Sequence, residues 1–372
     1  MNIIEKNLLG IPFKKSYQLL PGLLLVAIIA WLSMWLSEYI GINLLGYTKS
    51  PISSVIVAIL LGMLVNNLLP LPAWFKPGIT FSIKKILRLG IILLGIRLSI
   101  FDVLKLGTQS LPIVLLTITS GVLLTTFLAK RIKIPERLGI LIGVGTSICG
   151  ASAIVATAPA IDAKEEEVTY AVAVITIFGI AATLLYPYLA NVIFAGDPLK
   201  AGLFLGTAIH ETAQVAGAGM VYSEVFSSPG ALEAATVTKL VRNVFMAAVI
   251  PLMSYYYARS SKGFEGKKTK ITKLLPMFIL GFLAFAVIRS IGDAGINQSG
   301  TAYWVWEAGT WGAITATIKN WAEIFFVIAL AGVGMNTNFN MIKGLGIKPF
   351  LVGLFAAGLV GVVSYLAISI LM

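Results

Sequence analysis

Residues 200–219 read KAGLFLGTAIHETAQVAGAG, and the reading of the whole chain turns on this stretch. It sets His210, Glu211, Gln214 and the threonines Thr207 and Thr212 in the middle of an apolar run. Polar groups at that depth in a bilayer are costly and mark pathways or sites. Gly202, Gly206, Gly217 and Gly219 lie among them, and glycine lets a backbone leave the helix where protein or a cavity surrounds it. The stretch therefore reads as a broken transmembrane helix lining a polar cavity. A partner lies upstream at 137–156, RLGILIGVGTSICGASAIVA, whose Gly139-Ile-Leu-Ile-Gly143 matches Gly202-Leu-Phe-Leu-Gly206 before both turn polar.

The composition places these segments in lipid. Of 372 residues 58% are hydrophobic and 12% charged, against about 25% charged in soluble domains, and the mean hydropathy is +0.92. Runs of about 20 apolar residues, each able to cross the hydrocarbon core, recur throughout. They predict an all-α polytopic membrane protein, one transmembrane domain over 1–372. Its eleven spans are expected at about 18–38, 51–67, 83–100, 111–129, 138–161, 168–194, 200–222, 231–257, 274–291, 319–336 and 347–371. The apolar segment after Lys6, Lys14 and Lys15 is longer than a signal-peptide core and reads as a retained first helix. Asn66 and Asn67 read as caps of the second span, and residues from Asp293 to about 318 as a long outer loop with Trp304, Trp306 and Trp311.

The net charge of +12 is distributed as a topology signal. With connections assigned alternately, the amino-terminal tail and the even-numbered loops, with the span ends that flank them, hold 20 Lys or Arg; the odd-numbered loops, counted in the same way, hold Lys49, Lys105, Lys164 and Lys319. This bias puts the amino end in the cytoplasm and the carboxyl end outside. Nucleic acid is not an expected partner; membrane lipid is.

Several chemistries are excluded. His210-Glu-Thr-Ala-Gln214 lacks the second histidine of a zinc-protease helix, and the chain holds no other. Ser147 lacks the closing glycine of a nucleophile elbow. No phosphate-binding loop is present. No enzyme activity, cofactor or metal is expected.

The polar residues themselves suggest a carrier. Thr146, Ser147, Cys149 and Ser152 sit among Gly143, Gly145 and Gly150, where local unwinding would expose amides to an anion. In the eighth span Lys239 and Arg242 share a helical face, followed by Asn243. Two cations near the midplane require counter-charge. Glu211 neutralises one in this reading, and the other is left for a negative substrate; an internal network of Glu211, Glu323, Lys239 and Arg242 is the structural alternative. His210 shares a helical face with Gln214. Leu94-Gly-Ile-Arg-Leu98 with Phe101-Asp-Val-Leu-Lys105, and Ala331-Gly-Val-Gly-Met335 with Phe339-Asn-Met-Ile-Lys343, close spans of opposite direction and suggest an inverted repeat. The fifth and seventh spans both run outward in this topology, so their shared glycine frame does not fit the same inversion.

The strings GTSICGASAI at 145–154, AIHETAQVAGAG at 208–219, KLVRN at 239–243 and LRLGIILLG at 87–95 resemble the bacterial sulfate exporter family, grouped with the bile-acid/sodium symporter-like superfamily. The resemblance covers most of the chain. It implies an inner-membrane carrier with inverted repeats, crossing discontinuous helices and a separate panel. It also implies export of sulfate or a related sulfur oxyanion, with family positions at Ser147, Cys149, His210, Glu211, Gln214, Lys239 and Arg242. The expected substrate site is Thr146, Ser147, Cys149, Ser152, His210, Gln214, Lys239, Arg242 and Asn243, with His210 and Glu211 carrying coupling protons. A sodium- or proton-coupled uptake carrier for an organic anion, and an anion channel, are the competing readings. A homo-oligomer is compatible with all three.

Overall fold

The computed structural model describes residues 12–48, 50–260, 276–338 and 346–372. Lys6, Lys49, the Lys14 side chain, the basic segment 262–273 and the 339–343 part of the repeat string lie outside the described residues.

Among the described residues, each of the eleven expected apolar segments is helical for most of its length. α1 is Leu20–Glu38, with Pro21 in its first turn where no amide partner is lost. α2, Ser54–Leu68, begins where Ser53 accepts the Val55 amide. α3 runs through Lys76–Phe81, Ser82–Ile86 and Leu87–Leu94 to a last tight turn, Gly95–Arg97. Then follow α4 (Ile100–Ile132), α5 (Glu136–Ser147), α6 (Gly150–Thr157), α7 (Glu165–Ile193), α8 (Pro198–Ala208), α9 (Thr212–Val225), α10 (Gly230–Val244) and α11 (Met246–Ser260). α12 (Phe278–Ser299), a two-stranded ribbon of β1 (Thr301–Ala302) and β2 (Trp306–Glu307), α13 (Ala308–Met335) and α14 (Ile347–Leu371) complete the chain. Six helical stretches are long and apolar enough to cross a membrane unbroken, and α10 with α11, bent by 41°, makes a seventh. The protein is an all-α polytopic membrane protein.

The chain divides into two compact units. The first comprises Met1–Leu104, Met220–Pro229 and Met277–Phe339. In it the expected long outer loop is mostly helix. The Arg289–Asp293 pair, 2.6 Å and four residues apart, supports α12 to Ser299, and the Trp311 indole N–H donates to Asp293 at 2.8 Å from the start of α13. Asn66 and Asn67 both donate to the Thr337 carbonyl just past α13, so they hold the end of a neighbouring helix, and Asn67 also bonds its own turn at Met63. Glu323 pairs with Arg97 at 2.7 Å within this unit.

The second unit is Lys105–Gly219, Gly230–Pro276 and Asn340–Met372. Here the fifth and seventh expected spans are corrected: each is a helical hairpin. A helix running straight from 137 to 162 would separate its ends by about 37 Å, yet Arg137 and Asp162 pair at 3.8 Å. Gly145 and Ile154 face each other, since a Cβ on Gly145 would stand 2.8 Å from Ile154 Cδ1. α5 and α6 thus lie antiparallel, joined at Ile148–Cys149, and Gly150 turns the chain with φ +52°, a conformation glycine adopts without strain. In the second hairpin, Gly202 abuts Ala231 and Ala234, Gly206 abuts Ala235 and Thr238, and Arg242 reaches Ile209, so α8 runs parallel to α10. Thr212 meets Asn243 while Gly219 meets Leu232, so α9 runs antiparallel to α10. α8 and α9 therefore double back on each other at 209–211.

α7, 29 residues long, leads from the open end of the first hairpin to the open end of the second. The hairpins consequently enter the unit from opposite ends. This resolves the conflict over the glycine frames: Gly139–Gly143 and Gly202–Gly206 descend in opposite directions, as an inverted repeat requires. It also alters the implied architecture, because the helix breaks are hairpin tips rather than crossing points of through-running helices.

Candidate functional site

Each hairpin tip leaves the carbonyls of one helix end and the amides of the next without helical partners. Water cannot satisfy them in lipid, so side chains must. Lys239 and Arg242, fully buried on α10, supply the donors. Lys239 Nζ donates to the Ile148 carbonyl at 2.9 Å on the first tip, and on the second to Ile209 at 3.0 Å and to His210. Arg242 donates through Nε to Ser147 at 2.6 Å, through one terminal nitrogen to Thr207 at 2.7 Å and Ile209 at 2.9 Å, and through the other to Thr146. One lysine and one arginine thereby tie the carboxyl ends of α5 and α8 together.

One amide end is closed from the opposite tip and the other from its own helix. Glu211 accepts the Ala151 amide at 3.0 Å at the start of α6. Gln214 Oε1 accepts the Glu211 amide at 3.2 Å, while its Nε2 reaches the Thr176 carbonyl on α7 at 3.5 Å. Cys149 Sγ lies 3.3 Å from Thr212 Oγ1, which also accepts from Asn243 Nδ2 at 3.1 Å. The two tips are thus joined by charges, hydroxyls and amides.

Several expectations change. No direct ion pair of Glu211 with Lys239 or Arg242 occurs among the described residues; carbonyl oxygens take the cationic N–H groups, because α5 and α8 end beside α10. Glu323 belongs to the Arg97 pair of the first unit and not to this cluster. His210 does not share a helical face with Gln214, because its backbone lies in the non-helical tip. Ser152 is exposed, whereas Thr146, Ser147, His210, Gln214 and Asn243 are buried. Glu211 and Thr212 are half-buried.

Electrostatics give the cluster a sign. Each helix carboxyl end carries about half a negative charge and each amino end about half a positive one. The two carboxyl ends and two amino ends at the tips cancel, Glu211 offsets one cation, and about one positive charge is left. Four buried polar atoms at or beside the tips, Ser147 Oγ, His210 Nδ1, Thr238 Oγ1 and Asn243 Oδ1, have no hydrogen-bond partner among the described residues. No three His, Cys, Asp or Glu side chains among those residues converge as a metal cage would require.

Thr212 was not singled out by the sequence as a ligand-bearing position, yet it bridges Cys149 and Asn243. In the first unit Glu224 was also passed over. It accepts from the Ser53 hydroxyl at 2.6 Å, the Ser54 amide at 3.0 Å and the Ser54 hydroxyl at 2.7 Å, capping α2 from outside. The serine pair before an apolar run was the available signal.

Comparison with known proteins shows relatives that are membrane proteins. The UPF0324 membrane protein of Streptococcus agalactiae serotype V is 33% identical over 334 residues, 90% of this chain and 92% of its own. That of Bacillus cereus is 32% identical over 358 residues, covering 95% and 96%. That of Corynebacterium glutamicum is 34% identical over 345 residues, covering 91% and 89%. The family model described as "Conserved hypothetical protein 698" matches residues 21–353, and the chain is a member of that family of multi-pass membrane proteins.

Proposed function

We propose that the protein is a secondary transporter that moves a small oxyanion, sulfate or sulfite in kind, outward across the bacterial inner membrane by alternating access. The observation that carries this reading is the meeting of two oppositely inserted hairpins around Lys239, Arg242 and Glu211. Re-entrant backbone at membrane depth is tolerated where it lines a protein-enclosed path. Tips held by hydrogen bonds rather than by a continuous helix can separate without unfolding a span. The remaining positive charge favours a monoanion, or a dianion accompanied by a proton.

The anion is bound by groups other than the Lys239 ammonium, whose three protons are already donated. The hydroxyls of Ser147, Ser152 and Thr212 are the donors of this reading, and Lys239 and Arg242 act through the field they hold in place. Glu211, half-buried and bonded across the tips, is the proton carrier, with His210 beside it. The resemblance to sulfate exporters supports the substrate class and direction.

The test is flux of labelled sulfate and sulfite in proteoliposomes under imposed proton or sodium gradients. Proton-driven flux is expected, and Glu211→Gln leaves downhill exchange while abolishing accumulation against a gradient. No flux above empty vesicles for either anion would reject the substrate. Sodium-driven uptake of carboxylates would favour the competing carrier, and currents far above carrier turnover the channel.

A further inference from the structure

At the open end of the first hairpin a cleft of about 270 Å³ is lined by Thr126, Lys130, Ile134, Glu136, Ile140 and Tyr256. Lys130 lies in the last turn of α4 and Glu136 in the first turn of α5. Each charge suits the helix end it occupies. Both side chains are nevertheless exposed and form no ion pair among the described residues, although they line one cleft. Two neighbouring charges are already engaged: Arg137 bonds Tyr257 at 2.7 Å, and Arg131 lies over the Phe127 ring. The walls continue as apolar surface toward the membrane interior. Leu123, one and two turns before Thr126 and Lys130 on the same α4 face, and Leu252, one turn before Tyr256 on α11, are both exposed.

We propose that this cleft binds the headgroup of a zwitterionic phospholipid bearing a primary ammonium, with Lys130 on the phosphate, Glu136 on the ammonium, and acyl chains along Leu123 and Leu252. A purely anionic headgroup would meet Glu136 without compensation. A quaternary ammonium would satisfy Lys130 but offer Glu136 no N–H. The cleft sits where the chain leaves the apolar segment at Lys130–Lys133, the level of a headgroup layer.

The full-length protein, delipidated in detergent, is melted with added phosphatidylethanolamine, phosphatidylcholine or phosphatidylglycerol of identical acyl chains, and with soluble phosphoethanolamine. Phosphatidylethanolamine is expected to raise Tm by about twice the shift given by phosphatidylcholine. Glu136→Gln should equalise the two, and Lys130→Met should lower both. Because the readout compares lipids on one variant, any general loss of stability cancels. Equal shifts from the two zwitterions on the unaltered protein, a larger shift from phosphatidylglycerol, or retained discrimination in Glu136→Gln would overturn the proposal. So would a shift from soluble phosphoethanolamine as large as that of the lipid, which would assign the cleft to a soluble zwitterion.

Discussion

Lys239 has three N–H groups and places all of them on carbonyls from two hairpin tips. A cation in that position is a structural tie first and a source of field second. Removing it strands the Ile148 and His210 carbonyls away from water and leaves Ile209 with Arg242 alone, and breaking a buried charged network of this kind typically costs about 3–5 kcal/mol. Lys239→Met should therefore lower Tm markedly in detergent. A direct substrate ligand would instead lose transport with Tm unchanged. Gly150 offers a second test. Its positive φ and the position of Glu211 Cγ, 2.2 Å from where a Cβ would lie, leave no room for a side chain. Gly150→Ala is expected to cost about 1–3 kcal/mol from backbone strain alone and to displace Glu211 from the Ala151 amide. Unchanged stability and unchanged gradient coupling would contradict that assignment.

At the scale of elements, the glycine frames, the polar breaks and the cationic helix were all legible, because each is a local pattern of residue types. The doubling back at Ile148–Cys149 and at 209–211 was not. A 24-residue apolar run reads the same whether it crosses once or enters and returns, since hydropathy records burial in lipid or protein without direction. Only tertiary partners such as Arg137 with Asp162 carry the direction. In a Cys149→Ser background, single cysteines at Arg137 and Asp162 should react with an impermeant maleimide from the same side of the membrane. A cysteine at Gly230, the start of α10, should react from the other. Labelling of 137 and 162 from opposite sides would restore the through-running span. The polar contacts of the tips were equally unreadable, because helix propensity places Glu211 and His210 by a 100° rule that the broken backbone does not obey.

For the whole molecule, the two hairpins explain why the charge bias looked consistent with a different path. Each returns to the side from which it entered, so the two corrections cancel in parity and the termini keep their expected sides. Lys164 moves to the side of Lys130 and Lys133, Lys200 moves to the opposite one, and the balance of 20 against 4 is unchanged. A reporter fused after Met372 should be active outside, and one inserted within 262–273 active in the cytoplasm; the reverse pattern would overturn the orientation. The central claim remains that the meeting tips form the transport site. Cys149 is the sole cysteine, 7% exposed and 3.3 Å from Thr212 across the tips. The most direct measurement is its rate of alkylation by N-ethylmaleimide in proteoliposomes, with and without sulfate. Several-fold slowing by sulfate, with none from chloride at equal ionic strength, is predicted; the same rate in both salts would contradict the account.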